Sequence, residues 1–312
     1  MPLVSFIIPC YRSEKTIRPV VEEIDRAMAA LPRYGYELVL VNDCSPDGTY
    51  AVLFDMARAR EDLIAVDLAK NFGQHAALMS GLRHSQGDIC VCLDDDGQTP
   101  ADEVGKLLEK IEAGYDVVYA SYESRKESGF RRFGSDLNAK MTEIMLGKPR
   151  ELSLTSYFAA RRFIVDEMLR YENCFPYVMG LVLRSTKNIC NVSVKHRPRE
   201  QGSSGYSLGK LVSLWMNGFT SFSIKPLRLA VYAGLTAALA GFVLIIVIVV
   251  RYFTQHMAPL GWSSTTALLL LLGGAILLLL GLVGEYVGRI FMCVNASPQY
   301  VEREVTDRRG ES

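Results

Sequence analysis

Short apolar runs rich in β-forming residues alternate with helix-length amphipathic stretches over the first 120 residues of this chain. Residues 4–8, 38–41, 63–68, 88–93 and 116–120 are five such runs. The first helix begins near Thr16, with Pro19 tolerated in its opening turn, where its missing N–H is not needed. Strands separated by helical segments predict an α/β domain with a mostly parallel sheet and helices on both faces. Further along, the pattern changes. Residues 229–250 contain no Asp, Glu, Lys or Arg, and neither do residues 252–284. At about 1.5 Å per residue the first stretch covers the ~30 Å of a bilayer's hydrocarbon core. Two transmembrane helices are expected, joined by a short connection containing Pro259 and Gly261.

Charge placement orients these spans. The connection carries no Lys or Arg, whereas Lys210, Lys225 and Arg228 precede the spans and Arg289, Arg303, Arg308 and Arg309 follow them. The positive-inside bias then puts both termini in the cytoplasm. Two stretches, 130–146 and 208–222, space Phe, Leu, Met, Ile and Trp at three and four residues with Arg or Lys interleaved, as core-packed or interfacial helices do. The expected organisation is a cytosolic catalytic domain (1–206), an amphipathic helix and linker (207–228), two membrane helices with a short extracytoplasmic loop (229–284), and a cytosolic tail (285–312).

Composition narrows the function. Apolar residues make up 49% and charged residues 22%, enough to bury a core and unlike a disordered chain. Lys plus Arg (34) equals Asp plus Glu (34), so no global positive field draws the chain to nucleic acid. The seven cysteines show no Cys-x-x-Cys spacing and read as reduced thiols.

In parallel sheets ligands bind beyond the carboxyl ends of the strands. Polar residues gather there: Pro9, Tyr11 and Glu14 after the first strand, Asn42 and Asp43 after the second, Lys70 and Asn71 after the third, and Asp94-Asp95-Asp96-Gly97-Gln98 after the fourth. If the fourth strand stays extended, Asp94, Asp96 and Gln98 share one face and Asp95 points away. Such an all-oxygen face suits Mg²⁺ or Mn²⁺ and implies a nucleoside diphosphate conjugate as substrate.

Three segments, Phe6 to Tyr11, Val41 to Thr49 and Leu93 to Gln98, resemble the family 2 glycosyltransferases of GT-A fold, a Rossmann-like architecture. Asn71 to Leu78, Arg199 to Tyr206, Pro226-Leu227-Arg228 and Gly284 to Arg289 further resemble the polyprenyl-phosphate glycosyltransferases, which include dolichol-phosphate mannose synthase and bacterial enzymes acting on undecaprenyl phosphate. The resemblance implies inverting, metal-dependent transfer of one sugar from a nucleotide-sugar, a UDP-sugar before a GDP-sugar, to a polyprenyl phosphate. The setting would be the cytoplasmic face of a bacterial inner membrane, with homo-oligomerisation left open. Pro9, Tyr11, Glu14, Asp43, Asn71, Asp94 and Arg125 would hold the donor, and Asp43 would accept from the base imide. Asp96 and Gln98 would bind the metal. Arg131, Arg199, Ser204 and Tyr206 would meet the acceptor phosphate, with Asp94, Asp96, Arg131 and Arg199 carrying catalysis. Asn42, Asp95, Tyr122 and Gly205 depart from the family pattern, and the carboxylate of the relatives' Gly-Asp-Phe/Tyr element has no counterpart in Glu151-Leu152-Ser153-Leu154-Thr155. A non-lipid acceptor and a catalytically silent nucleotide-sugar-binding scaffold are the alternatives.

Overall fold

The computed structural model describes residues 1–122, 148–195 and 261–309, together with residue 143 and scattered positions from 227 to 254. The chain divides into two units, Met1–Leu214 with Ala296–Ser312, and Trp215–Asn295.

The first unit is built on an eight-stranded sheet. Five strands coincide with the apolar runs: β1 (Leu3–Cys10), β2 (Gly35–Asn42), β3 (Leu63–Leu68), β4 (Ile89–Cys92) and β5 (Val117–Tyr122). Between them run α1 (Ile17–Ala29), α2 (Thr49–Ala59), α3 (Gln74–His84) and α4 (Val104–Glu112). There follow β6 (Phe158–Arg161), α5 (Arg162–Leu169), α6 (Val178–Ser185) and β7 (Ile189–Val194). After α7 (Trp262–Val294), which belongs to the second unit, β8 (Glu302–Thr306) rejoins the sheet. The spatial order is β7-β5-β6-β4-β1-β2-β3-β8. Pairs β1–β2, β1–β4, β2–β3 and β5–β7 are parallel, while β6 and β8 run antiparallel to their neighbours.

Every residue of β1 from Val4 onward is buried, because helices cover both faces of the strand. Val4, Phe6 and Ile8 pack with α1, α2 and α4 into the main core. On the other face α3 lies against β1 and β2. Its approach depends on Gly81, where a Cβ would sit 2.5 Å from Ile7 Cγ2 and 3.1 Å from Val41 Cγ2. Glu37, buried in β2, accepts from Ser5 Oγ at 2.5 Å and from the Gln86 N–H at 2.6 Å, and pairs with Arg309 at 2.7 Å. All seven cysteines are free thiols.

One sequence expectation changes. Residues 285–312 are not simply a tail: α7 continues past Gly284 to Val294, and residues 302–306 form an edge strand on β3. The sequence of β8, Glu-Arg-Glu-Val-Thr, hides it, since edge strands carry charge where central strands carry apolar runs. In the second unit, the described residues contain one helix long and apolar enough to cross a membrane, Leu272–Val294 with mean hydropathy 1.8, and a shorter apolar helix, Gly234–Val243. Part of the first expected span lies outside the described residues, as do the stretches 130–146 and 208–222, residue 143 apart.

Candidate functional site

Parallel register brings the ends of four strands to one edge. Cys10 pairs with Asn42, Asn42 with Asp67, and Ile7 with Cys92, so the loops after β1, β2, β3 and β4 open onto one crest. Pro9, Tyr11, Glu14, Asp43, Asn71, Asp94, Asp96 and Gln98 all lie there, as the strand-end argument expects. Arg125, Arg131, Arg199, Ser204 and Tyr206 lie outside the described residues.

The loops after β1 and β2 are locked to each other. Arg12 (φ 60°) and Cys44 (φ 49°) both adopt the left-handed conformation, which non-glycine residues hold only where neighbours enforce it. The enforcing contacts are the Arg12 N–H on Ser45 Oγ at 2.7 Å and the Ser13 N–H on Thr49 Oγ1 at 2.8 Å. Glu14 Oε2 accepts from the Gly48 N–H at 3.3 Å. Tyr11 stands 46% exposed at the rim with the Arg12 guanidinium 5.6 Å from its ring centre.

Asp43 is buried and grips the next loop. Its Oδ1 accepts from the Phe72 N–H at 2.7 Å and its Oδ2 from the Gly73 N–H at 2.9 Å. Asn71 Nδ2 donates to the Asp43 carbonyl at 3.2 Å. Burial raises the Asp43 pKa above the ordinary carboxylate value, and the two amide donors oppose that rise. Asp43 and Asn71 therefore tie the loop after β2 to the loop after β3, contacts the sequence alone did not reveal. Beneath them, Asn42 Nδ2 donates to Asp67 Oδ1 at 2.7 Å. A carboxylate at position 42 would face another carboxylate, which accounts for the amide found there.

The acidic segment is a bend, not an extended strand. β4 stops at Cys92, Gly97 takes φ 71°, and the Gln98 N–H closes the turn onto Asp96 Oδ1 at 3.1 Å. Three adjacent carboxylates and a glycine favour turning over extension. Asp95 nevertheless parts from its neighbours. Asp95 turns back to β1, accepting from the Tyr11 N–H at 3.1 Å and from the Ser13 hydroxyl, and burial pushes its pKa to about 6. Asp94 accepts from Gln74 Nε2 at 2.7 Å and from the Ser156 hydroxyl. Tyr122, at the end of β5, lies close enough that the charges of Asp94 and Asp96 add to the rise burial gives its phenol pKa.

Among the described residues no three His, Cys, Asp or Glu side chains converge as a metal cage. The partly exposed Asp96 and Gln98 instead fit a hard divalent cation that completes its shell with water and phosphate oxygens.

Sequence reasoning missed Ser13, Ser156 and Asp67 as site components, and used Gln74 only as part of a motif. Ser156 sits on a loop with no periodic signal. Asp67 is the one acid in an otherwise apolar strand, which marks it as partnered. His75 is buried at Nδ1 without a hydrogen-bond partner and meets the Tyr177 ring edge-on at 5.0 Å. Burial lowers its pKa to about 4.

Comparison with known proteins follows this geometry. Residues 5–169 match the model of glycosyl transferase family 2, and residues 225–290 match the GtrB C-terminal hairpin. The chain is 34% identical over 309 residues to the undecaprenyl-phosphate 4-deoxy-4-formamido-L-arabinose transferase of Proteus mirabilis, covering 97% of this chain and 93% of that one. It is 35% identical over 312 residues to the enzyme of the same name from Erwinia tasmaniensis, covering 99% and 96%. Among solved structures, glucosyl-3-phosphoglycerate synthase from Mycobacterium tuberculosis, crystallised with Mn²⁺ and UDP-glucose, superposes with a TM-score of 0.53 at 18% identity, over 70% of this chain and 77% of that one. That likeness speaks to the GT-A fold alone. With the family match spanning more than half its length and full-length relatives above 30% identity, the chain belongs to glycosyl transferase family 2.

Proposed function

We propose that this protein transfers a single sugar from a nucleotide-sugar to undecaprenyl phosphate at the cytoplasmic face of a bacterial inner membrane, with inversion at the anomeric carbon. The observation that carries the reading is the crest where the locked loops of Tyr11, Asp43 and Asn71 meet the bend of Asp94 and Asp96. One side, the interlocked loops, would take a base and ribose; the other would offer oxygen ligands for a diphosphate's counter-ion. The names of the full-length relatives supply the acceptor class.

A divalent cation at Asp96 and Gln98 would neutralise the charge gathering on the departing diphosphate. Gln74 and Ser156 hold the Asp94 carboxylate beside it. A phosphate monoester has a second pKa of about 6, so the acceptor is mostly dianionic at pH 7 and needs no general base. Its oxygen forms the new bond to C1 as the bond from C1 to the nucleoside diphosphate breaks. Arg131 and Arg199, with Ser204 and Tyr206, hold that phosphate, as their place in the family pattern implies, and Arg125 assists the donor. Glu151→Gln should leave turnover intact and Arg199→Ala should cut it strongly.

Two membrane spans complete the reading. Strand β8 pairs with β3, which favours a chain that leaves the membrane on the side where it entered, after an even number of crossings. With Leu272–Val294 as one span, residues 229–250 supply the other. The match to a C-terminal hairpin over 225–290 supports the same arrangement. The deciding experiment incubates purified protein with undecaprenyl phosphate, Mg²⁺ or Mn²⁺ and a panel of labelled UDP- and GDP-sugars, then extracts lipid. Label in the lipid phase from a UDP-sugar is expected; nucleotide binding without lipid labelling would favour the silent scaffold.

A further inference from the structure

Arg303 lies on β8, beyond both apolar segments, more than 200 residues from the loops of the donor crest. As sequence it is one of several cations following a membrane span. In the fold its guanidinium bridges two elements of that crest. Nη1 pairs with Asp67 Oδ2 at 3.1 Å and Nη2 donates to the Ala69 carbonyl at 3.0 Å. The Ala69 N–H in turn donates to the Val301 carbonyl at 2.8 Å, so the start of the 69–73 loop is held on both sides by the returning chain.

Each contact leads toward the loops of the crest. Asp67 has its side chain only 3% exposed, and its other oxygen receives the Asn42 amide at 2.7 Å. Asn42 Oδ1 accepts from the Ser45 N–H at 3.2 Å, and Ser45 Oγ accepts from the left-handed Arg12 at 2.7 Å. Past Ala69 come Asn71, Phe72 and Gly73, the residues tied to Asp43. A buried carboxylate that loses its cation must draw water or move, because an unpaired buried charge is costly. Movement of Asp67 would release Asn42 and the Ser45 turn with it.

We propose that Arg303 is a positioning residue for nucleotide binding, by which the strand following the membrane segment sets the shape of the donor pocket. The inference rests on the crest being the nucleotide site. It distinguishes Arg303 from Arg309, which also joins the C-terminal segment to a buried sheet carboxylate. Arg309 pairs with Glu37 near the amino end of β2, at the opposite edge of the sheet from the crest. Loss of either cation leaves a buried sheet carboxylate without its ion pair; only loss of Arg303 touches the crest.

The test compares full-length wild type, Arg303→Ala, Arg303→Lys and Arg309→Ala in detergent. UDP binding with Mn²⁺ is measured by calorimetry, amide hydrogen exchange is followed without nucleotide, and thermal stability is recorded. Arg303→Ala is expected to weaken UDP binding about tenfold and to speed exchange in residues 42–49 and 69–73. Arg303→Lys should restore part of the affinity. Arg309→Ala should lower the melting temperature while leaving UDP affinity unchanged. Equal UDP affinity and equal loop exchange in wild type and Arg303→Ala would overturn the inference, as would an equal loss of affinity in Arg309→Ala, which would show a general effect of stability. Failure of wild type to bind UDP or GDP would instead remove the nucleotide-site reading, and the inference with it.

Discussion

The side-chain amide of Gln74 donates to Asp94 Oδ1 over 2.7 Å, joining the first residue of α3 to the bend after β4. With the Ser156 hydroxyl on the other oxygen, the carboxylate is fixed before any ligand arrives. Preorganised groups of this kind act without reorganising as charge develops. Gln74→Ala should therefore lower kcat by about tenfold with little change in thermal stability, because the lost bond is exposed. Steady-state kinetics beside a thermal melt check this; an unchanged kcat would show that Ser156 suffices.

Asp95 and Asp96 are neighbours with opposite surroundings. Asp96→Asn should reduce turnover by roughly 10²- to 10³-fold, because charge on the departing diphosphate goes unopposed. Asp95→Asn keeps an acceptor for the Tyr11 N–H and should retain most of the activity. Titrating Mn²⁺ against each variant separates them: Asp96→Asn should need far more metal, Asp95→Asn no more than wild type.

Asn42→Asp would set a second carboxylate 2.7 Å from Asp67, where an amide now donates. Two close carboxylates cannot both ionise cheaply, so one pKa rises. At pH 8 the variant should lose about 2 kcal/mol of stability. The loss should shrink as pH falls toward 5 and one of the pair takes a proton. Denaturant unfolding at the two pH values measures the difference.

His75 gives stability a pH dependence. Its folded pKa, near 4, lies below the ordinary 6.5, so the unfolded chain binds the proton more readily. Its contribution is complete above about pH 6.5 and is lost as pH falls toward 4, by at most about 3 kcal/mol. His75→Phe should flatten that part of the stability profile. A profile identical to wild type would place the acid sensitivity elsewhere.

Much of this protein is legible from its order of residues. Five strands, their parallel arrangement, the apolar character of residues 229–284 and the polar groups at the strand ends all follow from local patterning, because central strands and membrane helices write their burial directly into composition. The bend at Asp94 to Gln98 was half legible: Asp95 does part from its neighbours, but through a turn at Gly97 and not through strand alternation.

What the tertiary structure alone decided is which polar groups are partners. Asp43, expected in sequence to meet the base, also clamps Phe72 and Gly73. Ser156 is 62 residues from Asp94, and Arg303 is 236 from Asp67. No periodicity links such positions. A charged edge strand such as β8 carries no apolar pattern to announce it, and a hydrogen bond across a sheet is set by register, which exists only once the strands have paired.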